Sequence, residues 1–111
     1  MINAKAKGKR NERKTKKYLE ARGYLVEAVR NTKFHHGDFF GLFDIIAMNE
    51  HHIRMVQVKS NRVPSLIIKK ILAFTKCPPC VSKEIWSWKD WAKEPKISML
   101  KGRKMLWNWT K

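Results

Sequence analysis

Asp44, Gln57 and Lys59 are the residues whose types and spacing best suit chemistry on a phosphate. A carboxylate and an amide oxygen can hold a hard divalent cation, and an ammonium two residues further on can oppose charge developing on phosphoryl oxygens. Their placement follows from the local pattern. Asp44–Met48 (DIIAM) and Ile53–Lys59 (IRMVQVK) are short, apolar and β-branched, and Asn49-Glu50-His51-His52 between them is polar enough to turn. If Met48 pairs with Ile53, the same antiparallel register sets Asp44 opposite Gln57, with Cβ atoms roughly 5 Å apart. Gln57 and Lys59 then share that face, because strand side chains alternate. The alternative is a half-exposed hairpin whose polar residues only face water.

The composition indicates what such a site would meet. The chain has 111 residues, enough for one small domain, with 25 Lys and Arg against 9 acids and a formal net charge of +16. An excess of this size attracts polyanions, nucleic acid first among them. Eight of the first 17 residues are basic, and no acid occurs from His51 through Lys83. Lys7, Lys9, Arg10, Arg13, Lys33 and Arg62 are the candidate contacts with nucleic acid. Charge fixes the partner and not the chemistry, so a ribosomal-type basic protein or a solvated basic face is the lesser alternative. No apolar run is long enough to span a membrane, and the charged amino terminus lacks a secretory signal.

The elements that must position these residues can be read in order. Residues 1–8 are expected to form a mobile basic arm, and 9–111 a single domain. Lys9–Arg22 are good helix formers, and Gly23 is a natural stop. On that helix Glu12 lies almost in line with Leu19, so Tyr18, Leu19, Arg22 and the Glu12 row would face the sheet. Pairing of Glu12 with Lys16 on the surface is the simpler alternative. Tyr24–Arg30 reads as a strand and 31–41 as a loop with three phenylalanines, followed by the hairpin. Ser65–Phe74 is apolar at helical spacing, and Glu84–Trp91 (EIWSWKDW) alternates as a further strand. The tail from Ile97 has no clear assignment.

Cys77 and Cys80 form C-P-P-C, a spacing used in thiol redox chemistry and zinc binding. Here the pair follows a helix, and His35-His36 and His51-His52 offer only adjacent residues in turns, so a rigid Pro-Pro turn is the reading adopted. All five tryptophans fall after residue 85 in basic surroundings. Aromatic faces among lysines can stack on unpaired bases. Core packing is expected for Trp86 and Trp88, while stacking or a subunit interface suits Trp107 and Trp109 as well as core does.

Asn11-Glu12-Arg13 on the first helix, Phe43 to Ala47 (FDIIA) and Gln57 to Ser60 (QVKS), in this order, resemble the PD-(D/E)XK nuclease superfamily. Within it the chain is similar to the archaeal and phage-type Holliday junction resolvases and their VRR-NUC-like relatives, over about residues 8 to 90. The resemblance implies an α/β restriction-endonuclease-like core, with a central mixed sheet in αβββαβ order flanked by helices. It implies a cytoplasmic, Mg²⁺-dependent endonuclease (Mn²⁺ substituting), homodimeric in its relatives' manner, cutting branched DNA in recombination and repair. Asp44 would ligate the metal with the Gln57 side-chain oxygen and the Val58 backbone carbonyl. Glu12 would act directly or through water, and Lys59 would orient the attacking water. Asp38 lies one loop away and is left out of this set. Two departures stand out. Gln57 occupies a position ordinarily held by Asp or Glu, which removes a charge from the cation's surroundings, and Phe43 replaces the proline. A non-cutting nucleic-acid-binding member of the same fold is therefore the alternative function, and an RNA-binding basic protein is a third.

Overall fold

The computed structural model describes residues 4–29, 38–101 and 104–108, with side chains described for 7–29 and 38–100. Helix α1 spans Ala4–Glu20. It begins at Ala4, within the span expected to be an arm. It ends where the sequence places its stop. Gly23 adopts φ 85°, the Gly23 amide donates to Glu20 O (3.1 Å) and the Tyr24 amide to Leu19 O (3.2 Å). This is a Schellman closure, and the glycine is needed for its left-handed backbone, since an added Cβ would meet nothing within 4 Å.

Strand β1 (Leu25–Ala28) pairs antiparallel with β2 (Ile45–Met48), which pairs antiparallel with β3 (Ile53–Ser60). The hairpin has the expected register, Met48↔Ile53, closed by the Asn49 amide on His52 O (3.0 Å) and the His51 amide on Asn49 Oδ1 (2.9 Å). Helix α2 (Ser65–Ala73) then carries the chain over the sheet, as a parallel connection requires, so that β4 (Val81–Trp88) lies parallel to β3. The tail left unassigned by sequence supplies β5 (Lys96–Lys101) and β6 (Lys104–Asn108), both antiparallel. The sheet order is β1-β2-β3-β4-β5-β6, a mixed sheet with only β3 and β4 parallel. The expected α/β architecture holds, extended by two strands.

The two faces of the sheet carry separate cores. On the α1 side, Leu19, Val26, Ile45, Val56, Val58, Trp86 and Trp88 pack together. On the α2 side, Phe43, Met55, Ile71, Ile85 and Leu100 do so. Trp86 and Trp88 are core residues as expected: Tyr18 meets Trp86 edge-on at 5.2 Å, and Trp88 Nε1 donates to Thr15 Oγ1 (2.8 Å). The buried face of α1 is Asn11, Thr15 and Leu19 with Tyr18 beside them. Arg22, expected to face the sheet, is instead exposed and lies over the Tyr18 ring at 3.4 Å. Trp91, expected within the fourth strand, lies beyond its end. Among the described residues no helix is long and apolar enough to cross a membrane.

Candidate metal and phosphate site

The C-terminal half of β3 and the start of β2 meet at one end of the sheet, and Asp44 stands at their junction. The last regular pair is Ile45↔Val56, yet the Asp44 amide also donates to Val56 O (2.9 Å). Two residues on the β2 side therefore address one on β3, the arrangement of a β-bulge. Side-chain alternation breaks with it: Phe43 packs on the α2 face and Ile45, two residues on, packs on the α1 face. Simple opposition of Asp44 to Gln57 is thereby corrected. The Asp44 carboxylate instead accepts the Val58 amide through Oδ2 at 2.9 Å, alongside the strand. A strand residue's amide and carbonyl point to the same side, so the Val58 carbonyl opens toward Asp44 as well.

A tight turn brings a second acid to this point. Phe39 and Phe43 exchange amide–carbonyl bonds of 2.8 and 3.0 Å around Phe40 (φ 55°) and Gly41 (φ 70°). Successive positive φ values suit a primed hairpin turn, where glycine is favoured and phenylalanine is not. Extending the Phe39↔Phe43 bridge by one residue sets Asp38 across from Asp44, and their side chains share a hydrogen bond. Asp38 is thus part of the cluster that the sequence reading left it out of. The only signal was Gly41 three residues downstream, marking a turn tight enough to fold back.

Electrostatics follow from this crowding. Burial, opposed by the Val58 hydrogen bond, and then the charges of Asp38 and Glu12 push the Asp44 carboxyl up to about 7. Burial raises Glu12 too, with Asp38 adding to the effect and Lys9 opposing it. Glu12 reaches the site from the edge of the buried face of α1, half-buried. That helix is pinned there by its neighbour, since Asn11 Nδ2 donates to Ser60 Oγ at 2.6 Å. Gln57 is buried at 5% exposure, and Lys59 is half-buried two residues on along β3.

The three acids crowd without closing on one point: among the described residues no three His, Cys, Asp or Glu side chains form a metal cage. The neutral oxygen that the fold brings beside Asp44 is the Val58 carbonyl; Gln57, flanked on β3 by Val56 and Val58 of the α1-side core and two residues from Met55 of the other, alternates onto the α2 side of the strand. Carboxylate, amide and carbonyl oxygens are the ligand chemistry of Mg²⁺ and Ca²⁺, so the residues present fit a hard divalent cation. Of the expected nucleic-acid contacts, Lys9, Arg10, Arg13 and Arg62 are exposed. Lys7 is tied to Asp90 by a 2.6 Å ion pair. Lys33 lies outside the described residues. Cys77 and Cys80 are free thiols at the turn into β4, and the Cys80 carbonyl accepts the Ile53 amide at 2.9 Å.

No protein-family model and no curated protein sequence matches the chain. Six solved chains match its structure. One is Hjc of Archaeoglobus fulgidus, a Holliday junction resolvase from an archaeal hyperthermophile, with a TM-score of 0.59 and 15% identity. The match covers 91% of this chain and 84% of that one. With its mixed sheet, flanking helices and acids gathered at one sheet end, the chain has the restriction-endonuclease-like fold of a Holliday junction resolvase.

Proposed function

We propose that the protein is a divalent-metal-dependent DNA endonuclease that cuts branched DNA. The observation that carries this reading is Asp44: a largely buried carboxylate held between Asp38 and Glu12 and raised to about 7. Among the described residues no cation pairs with that carboxylate, so a divalent ion is a natural counter-charge. Mg²⁺ is the proposed ion, with Mn²⁺ as substitute, held by Asp44, the Gln57 oxygen and the Val58 carbonyl. When bound, such a cation lowers the pKa of water and stabilises negative charge on phosphoryl oxygens.

The chain's own residues supply the rest. Glu12 approaches from α1 and orients water beside Asp44. Lys59 presents a cationic side chain to the phosphate and to the attacking oxygen. Hydrolysis forms one phosphorus–oxygen bond from water and breaks one ester bond, leaving a phosphate monoester and a free hydroxyl. Lys9, Arg10, Arg13, Arg62 and Lys33 carry phosphate contacts along the strand, and their number predicts binding that falls steeply with salt. A homodimer would present two such sites to the two strands of a junction.

The test is a panel of labelled four-way, forked, single-stranded and duplex DNAs incubated with and without Mg²⁺. Cutting of branched DNA that requires the metal is expected, and Asp44→Ala or Lys59→Ala should abolish it while binding persists. Continued cutting by pure Asp44→Ala protein rejects this site. Salt-sensitive binding with no cutting under any metal would instead favour the non-cutting reading, for which Gln57 is the motivating residue.

A further inference from the structure

Beyond the end of β4 the chain turns through Asp90 and Trp91, and Trp91 is 97% exposed. Its backbone adopts φ 66°, a left-handed conformation that bulky residues rarely take. The turn itself is firmly held. The Asp90 amide donates to Asn61 Oδ1 (3.0 Å), the Ala92 amide to Lys89 O (3.0 Å), and the Asp90 carboxylate pairs with Lys7 on α1 (2.6 Å). A rigid turn therefore displays a large aromatic face in water, where it gains nothing for the fold.

That face borders a cleft of about 280 Å³ between the turn and α1. Lys7, Arg10, Lys14 and Lys89 line it, against Asp90 as its one acid. Lys14 is steadied by its ammonium lying 5.4 Å from the Trp88 ring centre. Asn11 lines the cleft too, and its bond to Ser60 joins it to the strand end carrying Lys59. The cleft thus adjoins the proposed cutting site, outside the carboxyl ends of the two parallel strands, where α/β sheets commonly receive ligands.

We infer that Trp91 and its ring of cations form a subsite for an unpaired nucleotide of DNA, the base stacking on the indole and its phosphates lying along Lys14, Lys89 and Arg10. Cations beside an exposed aromatic face match a polyanion with flat bases. A duplex buries its base faces, so the subsite favours DNA with unstacked bases, such as the centre of a branch. The inference specifies the substrate recognised by the proposed enzyme and rests on that reading for its purpose, but its test does not need cutting.

Full-length protein in metal-free buffer is titrated with labelled oligo(dT), duplex DNA of equal length and oligo(U). In Trp91→Ala the ratio of oligo(dT) to duplex affinity should fall roughly 5- to 100-fold, whereas Trp91→Tyr should stay within about threefold of the native ratio. Oligo(dT) should also quench native tryptophan emission more than that of Trp91→Phe, a signal that a folding defect would not mimic. An unchanged ratio in Trp91→Ala, or equal quenching in Trp91→Phe, overturns the subsite. A Trp91 dependence stronger for oligo(U) than for oligo(dT) overturns the assignment to DNA. Absence of cutting with the Trp91 effect intact counts against the nuclease alone, and cutting without that effect counts against the subsite alone.

Discussion

Glu84 and Asp44 are both carboxylates withdrawn from water, and the fold treats them in opposite ways. Glu84 is fully buried on the α1 side of the sheet. Arg54 grips it with Nε at 2.8 Å and a second guanidinium nitrogen at 2.7 Å, Trp86 Nε1 donates at 2.9 Å, and Ser82 Oγ donates at 2.5 Å. Aromatic rings of Tyr24 and Trp86 enclose the guanidinium. Asp44 receives the Val58 amide, and among the described residues the charged groups that act on it are acids. A carboxylate that serves the fold has its counter-charge built in. One crowded by like charge among the described residues suits a cation from outside them, as the proposed function requires.

The contrast is most severely tested at its structural pole. Arg54→Met leaves the Glu84 charge buried without its fork, and breaking such a pair costs about 3–5 kcal/mol. In a domain of this size the melting temperature should fall by about 15 °C or more. Adding Glu84→Gln to Arg54→Met should restore much of that loss. A shift of only a few degrees in Arg54→Met would show that Glu84 is not dependent on its partner.

At the other pole, removing charge should stabilise. Asp44 ionises near 3.8 when unfolded and at about 7 in the fold. Between those values the folded state holds the extra proton, so stability falls as pH rises through that window and stays low above it. Without divalent metal, Asp44→Asn should therefore melt about 5–10 °C higher than the native chain at pH 8, and no higher at pH 4. Mg²⁺ should raise the native melting temperature and leave Asp44→Asn nearly unmoved. A destabilised Asp44→Asn at pH 8 would contradict the like-charge reading.

The two poles were unequally legible. The hairpin register followed from apolar blocks around a polar turn, and the β3 motif came with it. The bulge did not, because it is a backbone choice, the Asp44 amide bonding Val56 O, which side-chain types do not encode. Asp38 was hidden by a turn that uses phenylalanine at positive φ. The buried row Asn11–Thr15 was obscured by its polarity: Thr15 is satisfied by Trp88, 73 residues away, and such a partner has no local signature. The Arg54–Glu84 pair spans two strands that become neighbours only through the parallel crossover. Trp91 continues the alternation of Trp86 and Trp88 in sequence, but a held turn ends the strand before it.

Gln57→Glu sharpens the comparison from a different side, by adding an acid at the position proposed to meet the cation. Gln57 is buried at 5% exposure, so a new carboxylate there should lower metal-free stability at pH 8. It should also tighten Mg²⁺ binding by something on the order of tenfold, as ligand charge rises. The melting-temperature gain on adding Mg²⁺ reads both effects at once. Tighter binding without lost metal-free stability would place residue 57 at the cation but away from the acids.

The smallest effects distinguish the members of the cluster. Asp38 acts on Asp44 through charge and a hydrogen bond, whereas Glu12 acts through charge alone, and the Asp38 charge is the stronger. Asp38→Asn should therefore lower the Asp44 midpoint by about one pH unit, read from its side-chain carboxyl carbon by NMR without metal. Glu12→Gln should lower it by less. Added salt should shrink the Asp38 difference more, because Asp38 is exposed and Glu12 half-buried. If Glu12→Gln produced the larger shift, the turn at Phe40 and Gly41 would not be holding Asp38 against Asp44. The acid from the helix would then be the principal neighbour, and the bulge at Asp44 would serve to turn the carboxylate toward α1.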